Sequence, residues 1–254
     1  MRKYFLPTLC LLCFACSIRQ DGVTSRDGVQ RWSLPSGVRI ERNRASVRYQ
    51  GELTEDGLAI LRKLSRHSRV TTLTVDSAGG EIVVGMDFGI WVDELGLDVV
   101  VDKACLSSCA NYVFTAGRSK TIRNGAVVAW HGSAKQPGLL DELHAAVELE
   151  ARGKKLAPDR EAQLIERNRQ ANVDYMTNAM LKQEAFFRRI GVDEFVTRIG
   201  NEEYGVRGFY YLSVEDMARF GISNVAAPED YPRMDRRALA RSAGFPITYL
   251  RLAE

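Results

Sequence analysis

Beyond residue 16 the chain has only two cysteines, Cys105 and Cys109, and its whole length has only three histidines, His67, His131 and His144. A zinc site needs several close ligands of these kinds, and here they are too few and too scattered to supply one. No metal and no other cofactor is expected. Charge of one sign is lacking too. The 35 basic residues against 32 acidic ones leave +3, and no basic block stands out. A nucleic-acid partner is therefore not expected. After the first segment, no apolar run approaches the roughly 20 residues of a spanning helix. The 254 residues, 45% of them hydrophobic, suffice for one sizeable core or two small ones.

The first segment reads as an export signal. Arg2 and Lys3 give a positive start, and Tyr4 to Ala15 is apolar apart from Thr8. That is the length of a secretory apolar region, too short to span a membrane. Leu12-Cys13-Phe14-Ala15-Cys16 resembles a lipobox in which Cys16 carries the lipid. The alternative is cleavage after Ser17. The expected organisation is a signal peptide of lipoprotein type over 1–16, a polar, arginine-rich tether over 17–43, one domain over 44–226 and a C-terminal extension over 227–254. The expected location is the periplasm or the bacterial outer membrane, with the lipid as the membrane contact. An even pair of cysteines in an oxidising compartment suggests a Cys105–Cys109 disulfide.

From Ala45 the pattern becomes regular. Ser46–Tyr49, Thr72–Val75, Leu97–Val101 and Ala126–Trp130 read as strands. Between them, Thr54–Leu64 (with Thr54 as N-cap), Ile82–Leu95 and a short buried stretch, Ala110–Ala116, read as helices. This alternation predicts an α/β fold with a largely parallel sheet. Residues 139–187 read as two helices parted near Pro158, the first with one face formed by Leu139, Leu140, Leu143, Ala146, Val147 and Leu149. His144 is placed on that helix's polar side and His67 on the surface. Val214–Phe220 reads as a last short helix.

Three features fall at the carboxyl ends of successive predicted strands, where open parallel sheets place their sites. They are Gly79-Gly80, Ser107-Ser108 and His131. Taken singly, each has a plainer reading as a tight turn, an N-cap or a structural histidine. In this order they suit acyl transfer. A serine at a strand-to-helix turn projects its hydroxyl, an imidazole takes the proton, and glycines let backbone N–H groups approach a developing oxyanion.

The same segments resemble the proteolytic subunit of Clp protease, a relative of the crotonases. Ser77-Ala78-Gly79-Gly80, with Gly85-Met86 after it, is similar to that family's glycine turn. Ser108-Cys109-Ala110 to Thr115-Ala116-Gly117 is similar to its nucleophile turn and helix. Asn124 to His131 is similar to its histidine strand, and Leu212-Ser213 to Gly221-Ile222 to its last helix. The resemblance implies repeated ββα units with a helical insertion or handle, a peptide or protein substrate and a homo-oligomer. It also implies a catalytic serine and His131, with an oxyanion hole from the N–H of Cys109 and that of Gly79 or Gly80. Counting nine back from Gly117 favours Ser108 as nucleophile. The Cys-x-Ser-x-Cys spacing of small envelope relatives gives Ser107. The family's aspartate position falls at Gly205, so Glu202 and Glu203 are the nearby acidic candidates. A disulfide between Cys105 and Cys109 would pin the nucleophile turn. Without the aspartate, a binding or scaffold protein of the same fold stays open.

Overall fold

The computed structural model of the protein describes residues 23–25, 28–233 and 246–253. The signal segment and Cys16 lie outside them. The fold opens with four strands, β1 (Val23–Thr24), β2 (Gln30–Ser33), β3 (Arg39–Asn43) and β4 (Ser46–Gln50), each antiparallel to the next. The reading of 17–43 as a tether is corrected for the described residues from Val23 onward, which enter the sheet. Trp32, Leu34, Val38 and Ile40 alternate with polar residues and are buried, which is the period of a strand with one covered face. Pro35-Ser36-Gly37 is the hairpin turn between them, closed by Leu34 N–H donating to Val38 O at 2.9 Å.

From β4 the chain alternates strands and helices: α1 (Glu55–His67), β5 (Thr72–Ser77), α2 (Ile82–Leu95) and β6 (Asp98–Leu106). Thr54 caps α1 by accepting from Gly57 N–H at 3.2 Å, so the sequence places this helix start correctly. α2 is capped by the Glu81 carboxylate, which accepts from Val83 N–H and Val84 N–H. Phe88 and Trp91 of α2 are core residues. After β6 come a π-helix (Cys109–Phe114), β7 (Lys120–Ile122) and β8 (Val127–Ala129). β6 is long enough to serve two neighbours in turn. Its first half pairs with β7 and its second half with β8, both in parallel.

Two helices follow, α3 (Leu139–Gly153) and α4 (Pro158–Ile190), with Pro158 at the start of the second. Two expectations for α3 are corrected. Leu149 is 74% exposed, and the His144 Nε2 is buried without a hydrogen-bond partner. The reason is the helical period. Leu140, His144, Val147 and Ala151 fall on one stripe, which turns toward α4, and Leu149 falls off it. The chain ends with α5 (Ile199–Glu202), β9 (Phe209–Tyr211), α6 (Val214–Arg219), β10 (Val225–Ala226) and β11 (Ile247–Tyr249). β10 adds to β7 in parallel, and β11 pairs with β9 in a small parallel sheet, so the described residues 246–253 of the C-terminal extension fold back on the body.

The architecture is mixed α/β. β4, β5, β6, β7 and β10 run parallel across the main sheet, with the antiparallel β1–β4 run at its other edge. Strands β7, β9, β10 and β11 were not expected from sequence. Each has only two or three residues, too few to show alternation. Leu61, fully buried on α1, tests the core. Leu61→Ala is expected to lower unfolding stability by about 3 kcal/mol, read as a lower urea midpoint with an unchanged slope.

Candidate active site

The site is built by β6 and its two flanking partners. The pairing Leu106↔Ala129 sets the ends of β6 and β8 side by side. Ser107 N–H continues the ladder by donating to Ala129 O at 3.1 Å. On the other side, Ser77 of β5 pairs with Cys105. The residues after the three strands therefore share one rim: Gly79-Gly80, Ser107-Ser108 and His131.

Ser107 Oγ lies 2.8 Å from His131 Nε2. Ser107 has φ 54°, the left-handed region that non-glycine residues rarely occupy. A serine held so at the turn from a strand into a helix is thrust out of the backbone's path. Gly79, at φ 103°, lies against this turn; a Cβ there would come 2.8 Å from the Ser107 Cβ and 2.8 Å from Leu106 O. Only glycine allows this approach.

The preference for Ser108 is corrected. Ser108 is 2% exposed, and its hydroxyl donates to Gly80 O at 2.9 Å. It ties the nucleophile turn to the glycine turn and does not meet His131. The count from Gly117 failed because it assumes an α-helix. The helix Cys109–Phe114 is π, and its wider turn absorbs one more residue, a feature often found at functional sites.

Of the expected oxyanion donors, Gly79 N–H donates to Ser77 Oγ at 3.1 Å. With Ser107 against His131, the adjoining N–H in the chain is that of Ser108.

Cys105 and Cys109 form a disulfide across the turn, with a Cα–Cα distance of 5.1 Å. Both are fully buried. Closing so short a loop removes only about 2 kcal/mol of unfolded-state entropy. Its larger effect is local, since the bond brackets Leu106, Ser107 and Ser108.

His131 stacks on Phe209, with ring centroids 4.3 Å apart. Burial pushes its pKa below the ordinary histidine value, because the charged form loses water. The neutral ring, with its proton on Nδ1, can accept from the Ser107 hydroxyl through Nε2.

Glu202 and Glu203, expected as acidic partners, do not pair with His131. Glu202 pairs with Arg198 at 3.1 Å. Glu203 is exposed at the end of α5, where its N–H closes the turn on Ile199 O. Among the described residues no carboxylate makes an ion pair or a hydrogen bond with His131. Among the described residues there is also no metal-binding group of three or more His, Cys, Asp or Glu, and no helix long and apolar enough to cross a membrane.

Sequence reasoning missed Phe209, which packs on the imidazole, and Asn111 and Gln183, which bond the loop after it. Asn111 lies between Ala110 and Tyr112 in a buried run, and Gln183 falls on the apolar stripe of Met176, Ala179 and Phe186. A polar residue inside an apolar stripe was the available signal.

No model of a known protein family matches this chain, and no curated protein matches it. Among solved structures the chain is similar to a single-site mutant of ClpP1 from Listeria monocytogenes. The identity is 19%, covering 77% of this chain and 94% of that chain, with a TM-score of 0.37. The chemistry is carried by the geometry of Ser107 and His131 alone.

Because the two sulfurs are joined, alkylating the unfolded protein without reduction should leave Cys105 and Cys109 unmodified by mass spectrometry. Alkylation after reduction should modify both.

Proposed function

We propose that this protein is a serine hydrolase of the peptidase type, related to the Clp protease subunit and exported to the bacterial envelope. The observation that supports it is the 2.8 Å contact between Ser107 Oγ and His131 Nε2 at a left-handed turn. In this reading His131 takes the hydroxyl proton as Ser107 Oγ bonds to the substrate carbonyl carbon. Ser108 N–H and Gly80 N–H receive the oxygen as it gains charge. The tetrahedral centre then collapses. The bond to the amine breaks, and His131 returns the proton to that leaving group. Water, activated by the same ring, cleaves the Ser107 ester and frees the enzyme. Loss of the orienting carboxylate costs roughly four orders of magnitude in kcat in triad enzymes, and none of the described residues supplies one to His131, so slow hydrolysis is expected.

Export is the second part of the proposal. The positive start, the apolar segment and the buried disulfide fit an oxidising compartment, with a lipid on Cys16 as the membrane anchor. The resemblance further supports a homo-oligomer, with the α3–α4 hairpin as its assembly element. Blocking lipoprotein signal peptidase should leave a larger precursor; an unchanged size would remove the lipid anchor.

A binding or scaffold role is the second reading, favoured by the absence of a carboxylate on His131 among the described residues. A fluorophosphonate probe separates the two. Ser107 should be labelled, and Ser107→Ala or His131→Ala should abolish labelling. Ser108→Ala should keep it, while losing about 1–3 kcal/mol of stability with the Gly80 bond. The rate should hold at mildly acidic pH and fall only below the ordinary histidine value of about 6.5, since the base must be neutral and burial lowers its pKa. A folded, oxidised protein that never takes the label would favour the binding role.

A further inference from the structure

Among the described residues no carboxylate meets the imidazole, and other groups hold its position. Phe209 covers the ring, and the other restraints act on the loop that follows it. From the π-helix, Asn111 Nδ2 donates to Gly132 O at 2.9 Å. From α4, Gln183 reaches the next two residues. Its Oε1 accepts from Tyr112 O–H at 2.7 Å and from Ala134 N–H at 3.2 Å. Its Nε2 donates to Ser133 Oγ at 3.1 Å and to Glu194 Oε2 at 3.3 Å. Glu194 also accepts from Lys135 Nζ at 2.6 Å. Gln183 is fully buried.

The chemistry of these partners selects an amide. A primary amide has two acceptor sites and two donors, and here all four are used. A tyrosine hydroxyl and a backbone N–H need an acceptor. A serine oxygen and a carboxylate take donors. Glutamate could not donate to the second pair while ionised, and no apolar side chain could serve either pair. Tyr112 and Asn111 both belong to the helix that begins at the Ser107 turn, so the clamp joins the nucleophile's helix to the histidine's loop directly.

We infer that Gln183 and Asn111 are positioning residues, two neutral amides that hold the Gly132–Ala134 loop against the nucleophile helix and so set His131 Nε2 on Ser107. They supply the orienting half of what a carboxylate does. They do not supply its charge, so among the described residues the imidazolium formed in the reaction has no counter-ion. The kinetic consequence rests on the hydrolase reading; the geometric one does not.

The test uses the full mature protein with Gln183→Met, which keeps the length and removes all four bonds. Ser133→Ala is a milder variant that removes one, and Leu61→Ala is a destabilised control remote from the loop. His131 is titrated by NMR, and fluorophosphonate labelling is timed. In Gln183→Met the His131 midpoint should move up toward the ordinary histidine value as the ring gains water, and labelling should slow by at least roughly tenfold. Ser133→Ala should shift both the same way by less, and it decides the matter if Gln183→Met does not fold. Leu61→Ala should change neither. Unchanged titration and labelling in the folded clamp variants, or equal changes in Leu61→Ala, would overturn the inference. A shifted midpoint in a protein that never takes the label would uphold the clamp and overturn the hydrolase.

Discussion

The Ser107–His131 hydrogen bond depends on one lateral pairing, that of the second half of β6 with β8. Parallel strands put equivalent ends at the same level. Three ladder pairs, Ala104↔Val127 to Leu106↔Ala129, therefore decide that the residue after β6 and the second residue after β8 meet. β7 occupies only the first half of β6. Had β7 run the full length, β8 would have had no place beside β6. Trp130, fully buried, fixes the far side through its bridge to Tyr210.

The turn at Ser107 is held against its own preference. A non-glycine residue in the left-handed region costs about 1–3 kcal/mol. Several restraints converge on three residues to offset it. The disulfide closes the turn, the Ser107 N–H is bound by Ala129, and the Ser108 hydroxyl is bound by Gly80. α2 closes in from above, where a Cβ at Gly85 would come 2.8 Å from the Ser108 Cβ. Hydrogen bonds of this kind contribute about 1 kcal/mol each, so no single one is enough and the set is.

The long elements were legible in the sequence because their signals are periodic. α2 was read from Ile82 to Leu95, the bounds it has, and Thr54 marked the start of α1. Gly79-Gly80, the serine pair and His131 were placed on one rim correctly, since strand ends suffice for that. The choice between Ser107 and Ser108 was not legible, because it turns on whether a six-residue helix winds as α or π. A composition of Cys-Ala-Asn-Tyr-Val-Phe does not fix that winding. The ordering of residues 30–43 was missed for another reason. Their arginines suggest a solvated lead-in, and the alternation of Trp32, Leu34, Val38 and Ile40 beneath them is interrupted by the hairpin turn.

The disulfide joins residues only four apart, which makes it a very local cross-link. Ring closure over so short a distance needs none of the surrounding sheet, whereas β6 meets β8 only after the residues between them have been spanned. An oxidant acting on the emerging chain can therefore set the bend around Ser107 before its imidazole partner has been brought alongside. This left-handed turn can in this way serve as a template for assembly as well as a product of it.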